Sequence, residues 1–169
     1  MQKVLLSLAV VLLGLLPFSF VEANHNDYTP VTQSSETHPA YIDRIFTADG
    51  KTYIAADFIE WYEGEEADRV FREREQDPEM TEAPDGYYIV NDVSELQTFE
   101  LSPDAEVFMQ LYNRNGNIDE ADPVWNEKID VTKFVSLFGP NEEMNMKDFP
   151  YHLVIENNKI VKITQQFIP

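Results

Sequence analysis

The sequence predicts an α+β fold, a mainly antiparallel sheet or small, partly closed barrel carrying two short helices. Three observations predict it. Two tight-turn pairs, Asp49-Gly50 and Asn157-Asn158, each separate runs rich in β-branched and aromatic residues, so a hairpin is expected at either end of the folded unit. Helical periodicity appears in only two places, 64–75 and 130–138. The element order is then β-β-α-β-β-β-α-β-β, without the regular βαβ alternation of a parallel sheet flanked by helices. Strands this numerous in one small domain curl, and an OB-like barrel is the expected architecture.

The first hairpin pairs residues 41–47 with 52–58. In 64–75, Ala67, Val70, Phe71 and Arg74 share one helical face. Glu65 and Arg69, and Asp68 and Arg72, stand acid before base four residues apart, the favourable order. Asp77-Pro78 is the expected stop. Strands are expected at 87–91, 96–101 and 106–112, with Asp92-Val93-Ser94 and Ser102-Pro103-Asp104 as the turns between them. A long polar loop around Trp125 fills 113–128. Asp130 is placed to cap the second helix, whose apolar face is Val131, Phe134, Val135 and Phe138, and Gly139-Pro140 closes it. The final hairpin joins 151–156 to 159–167.

The start of the chain reads as an export signal. Lys3 precedes an apolar run over 4–20, broken by Pro17 and Ser19, and Val21-Glu22-Ala23 offers a small-residue cleavage site. The run falls short of the roughly 20 residues of a membrane span, so cleavage after Ala23 is expected, with an uncleaved anchor as the alternative. Residues 24–40 are polar, hold two prolines, and read as a flexible tether ahead of a single domain at 41–169. A secreted location follows.

Composition removes several classes of function. With no cysteine, a disulfide scaffold, thiol catalysis and thiolate metal sites are excluded. With 31 acidic against 12 basic residues, the formal charge of −19 opposes nucleic acid and anionic membrane surfaces.

The stretches DFIEWYEGEEA (57–67), PDGYYIVND (84–92), LQTFELSPDAEV (96–107) and FPYHLVIENNKIVKITQQFIP (149–169) resemble small, uncharacterised exported proteins of Gram-positive, Bacillus-type bacteria. The resemblance implies a bacterial secreted origin. It brings no activity and no catalytic residues.

The residues themselves offer few catalytic sets. No G-x-S-x-G elbow is present. His25 and His38 fall in the tether, and His152 reads as a surface residue of the last hairpin. Glu60 and Glu63 beside Trp61 and Tyr62 are candidates for ligand binding, as are Tyr88 and Trp125, because acids among aromatic rings also line sugar-binding clefts. Two carboxyls across a cleft would make a glycan hydrolase. Asn113, Asn115, Asn117, Asp119 and Asp122 alternate like the start of a calcium loop, but Ile118 and Val124 occupy positions that calcium loops give to glycine and glutamate. A polar turn without cofactor is therefore expected, with Ca2+ as the weaker alternative. These readings converge on a non-catalytic secreted or envelope-associated binding module whose partner is a protein or cell-wall glycan. A small acidic-residue hydrolase and an acidic inhibitor of a secreted enzyme are the alternatives.

Overall fold

A computed structural model describes residues 31–168 apart from 33, 77–78 and 141–142. The expected signal at 1–23, residues 24–30 of the tether and the Asp77-Pro78 stop lie outside the described residues.

Eight strands and two helices follow in the order β1 (Thr37–Ala48), β2 (Lys51–Phe58), β3 (Glu60–Glu63), α1 (Gly64–Glu75), β4 (Tyr87–Val90), β5 (Leu96–Met109), β6 (Glu127–Ile129), α2 (Val131–Ser136), β7 (Pro150–Glu156) and β8 (Lys159–Gln165). Strands β2, β1, β7, β8 and β5 lie side by side, and β5 pairs back onto β2, closing a five-stranded barrel. Every neighbouring pair in it is antiparallel except β5 and β8. The barrel is therefore mixed, and its closure and strand order are compatible with the OB-like expectation.

Both terminal hairpins turn where the sequence places them. Asp49 and Gly50 take φ of 49° and 75°, and Asn157 and Asn158 take 49° and 63°, the paired positive values of a type I′ turn. The barrel begins before Tyr41. Thr37–Ala40, which composition assigns to the tether, pair with β7, and Ala40 is fully buried. Extended pairing needs only backbone groups, so a polar, proline-containing segment can supply it.

Strand β5 departs most from expectation. Ser102-Pro103-Asp104 is not a turn between two strands but a bulge within one, where the register against β8 slips between Leu101 and Glu106. A bulge tolerates proline because the ladder is already interrupted. The bend gives β5 two working halves. Residues 96–100 pair with β2, and 107–109 pair with the short β6 on that same edge.

The core fills the barrel with Ile42, Ile54, Leu101, Val107, Met109, Leu153, Ile160 and Ile163. Helix α2 closes one end. Asp130 accepts a hydrogen bond from the Lys133 amide (2.7 Å), as its capping position predicts. Phe134 enters the core, edge-on to Tyr151, whose hydroxyl donates to the Met146 carbonyl.

Between β2 and β5 the chain builds a separate layer. Strands β3 and β4 form a two-stranded sheet, and α1 packs one face of it through Ala67 and Phe71 against Tyr62 and Tyr88. Gln76 ends α1 in the left-handed conformation (φ 51°).

Truncating Phe134 to alanine is expected to cost about 3–5 kcal/mol by leaving a cavity under the barrel. Asp130→Ala removes only the cap, at about 1 kcal/mol. Urea unfolding of the two variants checks this order, and an equal loss in both contradicts the plug assignment.

Candidate functional site

Register and alternation place the candidate site on the outside of the barrel. Val107, Ile163 and Leu153 point inward, so their neighbours point outward and form two rows across the strands. One row runs Lys128, Phe108, Thr164, His152, Pro39 over β6, β5, β8, β7 and β1. The next runs Glu106, Lys162, Val154, Thr37. From these rows Phe108, Thr164, His152, Lys162, Val154 and Thr37 line a groove of about 390 Å3, together with Val31, Thr32 and Asn126.

Asn126 is held there by a buried amide network. Gln165 turns into the barrel end and accepts from the backbone amides of Gln110 and Leu111 (2.8 Å each) while donating to the Leu111 carbonyl (2.9 Å). The Gln110 side chain accepts from the Asn126 amide (2.8 Å) and donates to its side-chain oxygen (3.1 Å). Buried amides with every group matched fix a single arrangement. Asn126 can sit at φ 54°, a conformation asparagine tolerates.

Electrostatics of the floor centre on Phe108. The Lys162 and Lys128 ammonium groups lie 5.2 and 5.7 Å from its ring centroid. Lys128 is paired with Glu106 at 2.7 Å. That hydrogen bond, then the Lys128 charge, holds the Glu106 carboxyl below its ordinary range, with a smaller contribution from Lys162. Lys162 itself forms no ion pair among the described residues. A second lysine–glutamate–lysine set lies along the same strand, where Glu100 accepts from Lys159 (2.8 Å) and Lys51 (2.9 Å). Four lysines thus flank β5 in a chain of net charge −19.

His152 is not the surface residue that strand alternation implies. It faces outward from the barrel but is only 2% exposed, because Trp61 lies edge-on to its ring (6.3 Å). Its Nε2 shares a hydrogen bond with the Gln166 side-chain oxygen (2.8 Å). Burial lowers its pKa, outweighing the upward pull of Gln166 and of the Glu63 charge. His38 likewise belongs to β1, with its ring 5.8 Å from that of Phe58.

The residues singled out by sequence do not gather into one cleft. Glu60 and Tyr62 share the α1 side of β3, whereas Trp61 and Glu63 share the opposite face. The Tyr62 hydroxyl donates to Glu60 (2.6 Å). Trp61 is buried and stacked on Tyr87 (4.7 Å), and its indole N–H has no partner among the described residues. Tyr88 donates to Glu75 and packs its ring against Phe71, so α1 covers the outward ring of the Tyr87-Tyr88 pair. Trp125 stands edge-on to Phe167 (4.9 Å).

The 113–122 loop turns its asparagine side chains onto its own backbone. Asn113, Asn115 and Asn117 side chains accept from the amides of Gly116, Asn117 and Asp119. Asn115 and Asn117 donate to Glu120, and Arg114 takes the Asp122 carbonyl (2.7 Å). Arg114 also pairs with Glu127 (2.6 Å), which accepts from Tyr112 (2.9 Å). Burial and that hydrogen bond push the Tyr112 phenol up to about 12. Among the described residues no three His, Cys, Asp or Glu side chains assemble as a metal set.

Phe108, Lys162 and Thr164 were legible only through alternation, whereas Thr37 falls in the segment that composition assigns to the tether. Phe108 lies between inward Val107 and Met109, which marks it as outward, although an aromatic strand residue reads first as core. Compared with protein-family models, with curated proteins and with solved structures, the chain matches none. The chemistry of the groove rests on its own residues.

His152 gives this region a pH signature. Its folded pKa is depressed, so as pH falls below about 6.5 the unfolded chain takes up a proton that the folded chain resists. Stability is expected to drop through that window, above the range where the Glu106 and Glu100 carboxyls titrate. Urea midpoints between pH 7 and 5 should show the drop in the parent and a smaller one in His152→Gln. Identical slopes contradict a buried neutral imidazole.

Proposed function

We propose that this chain is an exported, non-catalytic binding module that takes its ligand in the groove over β5, β8 and β7. The observation that carries the reading is the outward Phe108 ring between two lysines, on a concave floor that also presents Thr37, Thr164 and Asn126. A concave site that mixes apolar walls with a few fixed polar groups is how small-ligand sites are built. The barrel alone does not define function. The amino-terminal charge, apolar run and small-residue exit support export, as does the resemblance to exported bacterial proteins. No helix among the described residues is long and apolar enough to cross a membrane.

Two observations favour binding over hydrolysis. Glu60 and Glu63 point to opposite faces of β3, whereas a glycoside hydrolase needs both carboxyls across one cleft. His152 is engaged by Gln166 and covered by Trp61. The inhibitor reading keeps one support, since the exposed face of α1 is strongly acidic, with Glu65, Glu66 and Glu73 outward.

Two measurements test the proposal. Mass analysis of protein recovered from culture medium should give an amino terminus at Asn24, and intact chain retained in the cytoplasm overturns export. Amide NMR shifts on the full secreted chain, titrated with cell-wall oligosaccharides and small organic acids, should concentrate at Phe108, Thr164 and Asn126. Phe108→Ala should abolish them. Shifts centred on Glu60 and Glu63, with turnover of a glycan lost in Glu60→Gln, overturn the binding reading.

A further inference from the structure

Resting on the groove as the ligand site, we infer that its ligand is a small carboxylate with an aliphatic body, its anionic end held by Lys162. The two lysines beside Phe108 are not equivalent. Lys128 is committed to Glu106 at 2.7 Å, while Lys162 lines the groove and forms no ion pair among the described residues. A cation beside apolar groove walls is well satisfied by an anion making a charge-assisted hydrogen bond.

Register puts the remaining partners in place. Thr164 lies two residues along β8 from Lys162, on the same outward face, and Thr37 lies in the Lys162 row beyond Val154. The Thr164 hydroxyl can donate to a carboxylate oxygen, and Thr37, whose hydroxyl shares a hydrogen bond with Ser34 Oγ (3.0 Å), can do so when Ser34 is the donor in that pair. Val154, Val31 and the Phe108 ring supply apolar surface for a short hydrocarbon chain.

Charge selects a single carboxylate over larger anions. The groove lining holds one lysine and no arginine. One ammonium balances the charge of a single carboxylate but leaves part of a phosphate dianion's charge unmatched. A polyanion lies along the acidic exterior and meets the repulsion of the −19 charge. At physiological ionic strength the screening length is about 8 Å, so one carboxylate seated against Lys162 senses chiefly its immediate neighbours.

The full chain, ¹⁵N-labelled and held at about 0.15 M ionic strength, is titrated with hexanoate, hexanamide and hexylammonium. Hexanoate should perturb the Phe108, Thr164 and Asn126 amides saturably. Hexanamide should bind about tenfold more weakly, the ratio expected for one lost charge-assisted hydrogen bond. Hexylammonium should not bind there. Lys162→Met keeps the stem along Phe108 and should bring hexanoate down to the hexanamide level, with Lys162→Arg retaining most of the affinity. Unchanged melting temperatures establish that both variants fold. Equal binding of hexanoate and hexanamide, or undiminished hexanoate binding by Lys162→Met, overturns the carboxylate inference and leaves the groove reading intact. No response to any of the three probes also overturns it, and the groove reading is then decided by the oligosaccharide titration and Phe108→Ala.

Discussion

Closure of the barrel depends on β5, and β5 depends on its bulge. The strand pairs with β2 along its first half, with β6 along its second on the same edge, and with β8 on the opposite edge. The interruption at Ser102-Pro103-Asp104 turns the strand between those tasks. Outward Phe108 and Glu106 follow the bulge, whereas outward Glu100 precedes it. Both charged positions meet lysines from neighbouring strands because the strand has curved around the barrel. The groove lies over β5, β8, β7 and β1, on the side of β5 that follows the bulge.

What the sequence revealed was local chemistry. Asp49-Gly50 and Asn157-Asn158 announce their turns because few other residues accept positive φ twice in succession. Asp130 announces α2 because its carboxylate can reach an amide three residues on. The barrel itself followed from counting strands between two hairpins. What stayed hidden needed long-range pairing. β3 is four residues of Glu-Trp-Tyr-Glu whose strand character comes from β4, its partner beyond α1. Three-residue β6 exists only because β5 offers an edge beyond β2. The buried state of His152 could not be read from β7 at all, since Trp61 of a different sheet covers it.

Charge is distributed unevenly over this molecule. The residues between β2 and β5 carry many of its acids, and their arginines are engaged nearby, Arg69 by Glu66 and Glu73 and Arg74 by Asp92. The lysines instead alternate with glutamates around β5 and β8. Such exposed pairs add little to stability individually. Their larger effect is to set apart a strip around β5 and β8 in which lysines outnumber glutamates, on a chain that is otherwise strongly acidic.

The closed cylinder has a colloidal consequence. A ladder that returns onto itself leaves fewer unpaired amides along its rim; residues 42–48 of β1 pair with β2 alone, and the other strands open at one side, β3, β4 and β6, are three or four residues long. Edges that short give a neighbouring copy little to add a strand to. With strong mutual repulsion between like-charged copies, a thiol-free protein of this design can remain dispersed at high concentration without covalent cross-links.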